Sequence, residues 1–230
     1  MADIQVIPVR MGMVSAFLVR QDGVILVDTG PPGHEAVILE AMEKARIAPG
    51  DIRLILLTHG HEDHAGSAAG LRQRIGSPVA IHEKDAGKIR EGRQDCLKAT
   101  GIAGILFGLL IGTGREKRFP SCEPDIVFSD LLDLGPYGIQ GRVIPMPGHT
   151  PGSSSLILEN GDALVGDIMV PAIPSGKPAL PFWAENREEA ERSIGKVLSF
   201  HPRRIFPAHG GLIRLEQGRK VPELTVKRVS

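Results

Sequence analysis

The sequence predicts an α/β fold in which two β-sheets pack face to face with helices on their outer surfaces. Three observations carry that expectation. Apolar, β-branched runs alternate with amphipathic stretches, and the order of strands followed by helix occurs once in each half of the chain. A length of 230 residues with 42% hydrophobic and 23% charged side chains is enough for one sizeable core or two closely packed halves.

IQVIPVR and VSAFLVR read as short strands, and the turn Gln21-Asp22-Gly23 leads into GVILVD, so residues 4–28 are expected to be antiparallel sheet. Pro31-Pro32-Gly33 ends that run. Val37, Ile38, Ala41, Met42 and Ala45 then recur at helical spacing, which predicts a helix over 34–46. IRLILL at 52–57 has the continuous apolar character of a strand buried on both faces, and it runs directly into a histidine cluster. A helix over 65–75 and the strand PVAIH follow. Residues 88–124 change texture, with charged segments flanking the apolar run 101–112, and are read as a helical insertion into a single domain spanning 1–230. Strand signals resume in DIVF, RVIPMPG, SSSLILE and DALVGD. A Pro-rich loop at 171–181, a helix over 186–199 and the strand RRIFPAHG complete the chain's pattern.

Basic and acidic side chains balance at 27 each, so no global field favours nucleic acid. The stretch 214–228 is locally basic, but Glu216 and Glu223 interrupt it and a solvated tail is expected. The run 101–112 is too short to span a bilayer, which needs about 20 residues. MADIQVIPVRMG shows no secretory or transit pattern, so a cytoplasmic setting is expected. Cys96 and Cys122 have no C-x-x-C spacing; isolated thiols are the simpler reading, and a single bridge between them stays open.

The stretch LTHGHEDHAG at 57–66 places three histidines and two acids in six consecutive positions. Imidazole and carboxylate are ligands for zinc, and His59 and His61, separated by one residue at a strand end, can converge on one ion. Asp63 and His64 can begin a second site. Further donors stand at strand ends or tight turns downstream: His149 in PMPGHTPGSS, Asp167 in ALVGD and His209 in FPAHGG. Of the eight histidines, His34, His82 and His201 remain, and each is expected to be structural or exposed.

The strings THGHEDHAG, PGHTPGS, VGD and PAHGG together resemble the metallo-β-lactamase superfamily, with the similarity running from VDTG at 27–30 to PAHGG at 207–211. The resemblance implies a four-layer αββα sandwich of two mixed β-sheets with outer helices. It also implies a metal-dependent hydrolase with two zinc ions, although iron and manganese suit the same donors. Position by position it implies His59, His61 and His149 at the first metal, Asp63, His64 and His209 at the second, and Asp167 bridging them. Asp28 in VDTG matches an aspartate that supports the ligands without binding metal. Two metals about 3.5–4 Å apart would share a water, bring its pKa towards neutrality and supply a hydroxide nucleophile, and Asp63 is placed to accept or shuttle its proton.

Departures from individual branches shape the expected activity, which is hydrolysis of an ester, lactone or thioester in a small-molecule substrate. Asp167 occupies the place of the cysteine found in one lactam-cleaving branch. Typical hydroxyacylglutathione hydrolases append a helical domain, for which the short stretch after His209 leaves no room. Flavodiiron proteins carry Glu where His61 stands. Lactone-cleaving members often use a tyrosine near the metals, and Tyr137, the sole tyrosine, does not obviously match it. Two alternatives remain: a persulfide dioxygenase with one iron held by His59 or His61, His149 and Asp167, and a non-catalytic metal-binding protein. Loops at 10–13 and 88–124, and the loop carrying Lys177, Phe182 and Trp183, are candidate substrate contacts. The run 101–112 has three readings: internal packing, a lid, or a contact in a homodimer.

Overall fold

The computed structural model describes residues 2–111 and 116–215. Gly112, at the end of the apolar run, and nearly all of the basic stretch 214–228 lie outside the described residues.

The first sheet is built from β1 (Gln5–Met11), β2 (Val14–Arg20), β3 (Val24–Val27), β4 (Ile52–Leu56), β5 (Val79–His82) and β6 (Ile126–Phe128), side by side in that order. Its first three strands pair antiparallel and β3 to β6 pair parallel. The helices α1 (Glu35–Lys44), α3 (Ala68–Ile75) and α4 (Glu83–Glu91) cover one face, placing Ile38, Met42, Leu71, Ile75 and Ile89 against Leu18, Leu26, Ile55 and Ile81. The second sheet orders β7 (Leu132–Asp133), β8 (Gly141–Pro145), β9 (Ser154–Leu158), β10 (Asp162–Gly166), β11 (Arg204–Pro207) and β12 (Ile213–Arg214). Only β10 and β11 run parallel in it. Helix α6 (Arg187–Ser199) covers its outer face with Ala190, Ile194, Val197 and Leu198, and the Asn186 side chain caps it by accepting from Glu189 N at 3.1 Å.

The two sheets meet through the alternate residues of their strands, as the two-residue period of a strand requires. Ile25, Val27, Leu54 and Leu56 from the first sheet pack against Val143, Leu156, Leu164 and Phe206 from the second. The layer order is therefore helices, sheet, sheet, helix. Tyr137 packs into this inter-sheet core.

The helix expected over 65–75 forms from Ala68 as α3, and a separate turn of helix stands before it. A short α2 (Glu62–Ala65) precedes α3, because the His64 carbonyl accepts from both Thr29 N and Thr29 Oγ1 at 2.7 Å and is not available to continue the helix. Among the described residues between α4 and β6 the only long element is α5 (Ile102–Ile111). It approaches the loop at Phe182 so closely that a Cβ on Gly104 would collide with the Phe182 carbonyl. Ile102, Ile105, Leu106 and Leu109, at i, i+3, i+4 and i+7, are all more than half exposed, so internal packing does not account for this face. No helix among the described residues is long and apolar enough to cross a membrane. Cys96 is exposed, Cys122 is buried, and both are free thiols, which closes the question of a bridge.

Leu54→Ala, which empties a fully buried position between the sheets, is expected to lower stability by about 2–5 kcal/mol. Leu109→Glu, at a position 79% exposed, should change it by no more than about 0.5 kcal/mol. Urea unfolding of the two variants measures the difference.

Candidate metal centre

The seven donors singled out in the sequence all lie where strands end or just beyond, at one edge shared by both sheets. His59 and His61 follow β4, His149 follows β8, Asp167 follows β10 and His209 follows β11. Asp63 and His64 are supplied by α2. The backbone turns needed to bring them in are tight. Gly148 adopts φ +136°, and a Cβ there would collide with the backbone of Ala190. Gly166, at φ +52°, lets β10 end against Thr58, whose Oγ1 would lie 2.7 Å from an added Cβ.

The donors form two groups joined by a third. His59 Nε2 and His149 Nε2 each lie 3.0 Å from His61 Nδ1. Those separations are close to the ~3.3 Å that a tetrahedral ion with bonds of about 2.0–2.1 Å imposes on its ligand atoms. His209 Nε2 lies 3.2 Å from Asp63 Oδ2, and His64 Nε2 lies 3.9 Å from Asp63 Oδ1. Asp167 stands between the groups. Its Oδ1 is 3.3 Å from His64 Nε2, and its Oδ2 is 3.5 Å from His149 Nε2 and 3.3 Å from His209 Nε2. Among the described residues three combinations could hold a metal ion: His59, His61 and His149; His59, His64 and Asp167; and Asp63, His64 and His209.

The far nitrogens of four imidazoles are held, and this fixes what the near ones present. His59 Nδ1 meets Thr58 Oγ1 at 3.1 Å and His64 Nδ1 meets Asp28 Oδ2 at 2.9 Å. His149 Nδ1 meets the Trp183 carbonyl and His209 Nδ1 the Met13 carbonyl, both at 2.9 Å. A carbonyl or carboxylate partner requires a proton on Nδ1, so Nε2 is the nitrogen turned to the shared edge and the one free to give up a proton and donate a lone pair there. His64 Nε2 and Asp167 Oδ1 are buried there without a hydrogen bond, an arrangement that is costly until a cation or proton is supplied. The donor set fits a metal.

Charge is distributed unevenly. Burial pushes His59 and His61 well below the usual imidazole range, and neighbouring histidines add to it; burial also lowers His149. For His209 burial pulls down, but the Asp167 carboxylate and hydrogen bonds to Asp167 and Asp63 outweigh it and raise the imidazole to about 10. His64 is likewise depressed by burial and raised more strongly by Asp167, Asp28 and Asp63. Burial opposes ionisation of Asp63 and Asp167, yet the flanking His64 and His209 hold both below the ordinary carboxylate range. The first group is thus neutral and ready to donate lone pairs, while the second balances its own charges.

Asp28 supports this edge as the resemblance implied. Held at φ +61° just after β3, it accepts from Thr58 N at 2.7 Å and from Thr58 Oγ1, and it orients His64. The other histidines do structural work or none at the site. His34 contacts the Pro32 carbonyl, His82 caps α4 and meets the Ser129 carbonyl, and His201 is exposed. Lys177 is exposed on a hairpin, whereas Trp183 joins the site through its backbone carbonyl. Tyr137 lies beside Gly23, at the start of β3, whereas the donors gather beyond the other ends of the strands. The pattern reading missed Asp85, Thr58 and Thr150. Thr58 and Thr150 stand inside THGHEDHAG and PGHTPGS, beside donors that drew the attention, whereas no motif marks Asp85, which sits in an ordinary charged helix start, EKDAGK.

A four-layer sandwich with histidines and aspartates converging at one sheet edge defines a class of metal-binding proteins. The family model for the metallo-beta-lactamase superfamily matches residues 9–209, and the chain belongs to that superfamily. It is 28% identical over 198 residues to the beta-lactamase-like protein 2 homolog of Drosophila melanogaster, a match that takes in 85% of this chain and 57% of that protein, little more than half its length. It is 26% identical over 175 residues to the hydroxyacylglutathione hydrolase GloC of Haemophilus influenzae, with 73% of this chain and 72% of that one covered. Among solved structures it is similar in fold to the BLEG-1 B3 metallo-beta-lactamase, with a TM-score of 0.67, 21% identity, and 92% and 94% of the two chains covered.

Asp28→Asn is expected to weaken metal binding roughly 10- to 100-fold, since the amide cannot both accept from Thr58 and accept the His64 proton as a carboxylate does. Chelator competition with the full chain measures it.

Proposed function

We propose that the protein is a dinuclear zinc hydrolase acting on an ester or thioester of a small molecule, with His59, His61 and His149 holding one ion, Asp63, His64 and His209 the other, and Asp167 shared. The observation that carries this reading is the placement of Asp167, whose two oxygens reach 3.3–3.5 Å from imidazole nitrogens of both groups. A carboxylate so placed has more to satisfy than one cation.

Bound metal would supply Lewis-acid polarisation of the substrate carbonyl and would lower the pKa of water into the neutral range. The protein's own groups do the rest. Asp63, 28% exposed and hydrogen-bonded to His209, is the carboxylate open to the site edge and takes the role of proton acceptor and shuttle. Asp28, Thr58 and the Trp183 and Met13 carbonyls keep the imidazoles in one tautomer, so no reorientation is needed when substrate arrives. On the His149 side, Lys98–Ala99 pairs with Trp183–Ala184, and the Trp183 carbonyl meets His149 Nδ1.

Thioester cleavage is favoured within this class by the likeness to a relative named hydroxyacylglutathione hydrolase. Lactone cleavage is disfavoured by the remoteness of Tyr137. We place the protein in the cytoplasm, a setting that suits two free thiols.

Metal analysis and a panel of ester, thioester and lactone substrates test the proposal. Two zinc ions per chain and thioester or ester turnover are expected, with His61→Ala and Asp167→Ala reducing kcat/KM by at least about 100-fold while the proteins remain folded. One iron per chain with oxygen consumption on a persulfide would establish the dioxygenase instead, and full activity in both variants would displace the site.

A further inference from the structure

Asp85 is a fully buried carboxylate on the first turn of α4, and three hydrogen bonds converge on it from the two loops that carry His59, His61 and His149. Its Oδ2 accepts from Gly60 N at 2.8 Å and from Thr150 Oγ1 at 2.7 Å, and its Oδ1 accepts from Gly152 N at 3.1 Å. Gly60 separates His59 from His61, and Thr150 follows His149. Approach is close on both sides. A Cβ on Gly152 would lie 2.6 Å from Asp85 Cγ, and one on Gly60 would lie 3.2 Å from the Asp85 carbonyl. The Lys88 ammonium, 3.7 Å from Asp85 Oδ1, balances the buried charge and also meets Glu185 Oε1, whose backbone N donates to the His149 carbonyl at 3.0 Å. Thr150 is fixed in turn, its Oγ1 lying 2.9 Å from Ser153 Oγ.

We propose that Asp85 is the positioning residue of the three-histidine group: it ties the 59–61 loop to the 149–152 loop and so sets the separation of His59 and His61 from His149. None of its oxygens reaches a histidine ring. It acts through the backbone on either side of the donors, as a buried carboxylate can when N–H and O–H groups replace its water. Asp28 does for His64 by direct contact what Asp85 does for the first group through the chain. The inference rests on the reading of His59, His61 and His149 as a metal-binding group.

The test uses the full-length chain carrying His209→Ala, which leaves that group intact, with cobalt(II) as the probe and its visible absorption as the readout in competition with a chelator. Adding Asp85→Ala is expected to raise the cobalt dissociation constant roughly 10- to 100-fold. Thr150→Ser should leave it unchanged and Thr150→Val should raise it. In a His149→Ala background, which leaves the Asp63, His64 and His209 group, Asp85→Ala should leave cobalt binding unchanged. If Asp85→Ala does not fold, Asp85→Asn takes its place, since it keeps the shape and turns one acceptor oxygen into a donor facing N–H or O–H groups. Unchanged affinity in a folded Asp85 variant, or equal loss in both backgrounds, overturns the positioning role. A His209→Ala protein that takes up no cobalt while folded overturns the metal-binding reading itself, and the inference falls with it.

Discussion

Seven imidazole and carboxylate groups crowd one edge of this sandwich, and most of them are buried. Lone pairs 3.0 Å apart repel unless a proton or a cation lies between them. That constraint organises the surrounding structure. The strands deliver the donors, but only a rigid outer set of hydrogen bonds keeps the rings from turning away from one another.

That outer set has two anchors, each a buried aspartate. Asp28 follows β3 in a left-handed conformation and bonds Thr58 and His64, linking the end of one parallel strand to the donors of α2. Asp85 comes from α4 and joins loops that belong to different sheets. Removing either acid would leave N–H or O–H donors without partners in a region closed to water, where such loss is most costly. The αββα architecture is suited to this task. Parallel strands β3, β4 and β5 place their ends together, and the inter-sheet core of Leu54, Leu56, Leu156 and Leu164 holds the second sheet's contribution in register with the first.

The outer face of α5 is built differently. Exposed aliphatic side chains line α5, whose Gly104 packs on the Phe182 carbonyl, next in the chain to the Trp183 carbonyl that meets His149. These groups depend less on the core, and their chemistry is apolar where the donor edge is polar. The polar donor edge and this apolar face therefore belong to different parts of the molecule, and residues 182–183 link them.

The sequence by itself determined the donor set. His59, His61, Asp63 and His64 fall within one short run, and the downstream His149, Asp167 and His209 each sit in a glycine-marked turn after a strand, so type, spacing and local context were all legible. The long strands, α1, α6 and most of α3 were legible for the same reason, since a two-residue or 3.6-residue apolar period survives in the linear chain, whereas α4 (Glu83–Glu91) was not foreseen. Two-residue edge strands such as Leu132–Asp133 carry no period, and the break between α2 and α3 depends on Thr29 taking the His64 carbonyl from 35 residues away. Only the tertiary structure decided that Asp85 binds Gly60, Thr150 and Gly152, that Tyr137 lies at the far end of the strands, and that α5 turns its aliphatic face outward. Each of these is a contact, or the lack of one, between segments remote in sequence, and hydrophobic pattern and motif spacing hold no record of it.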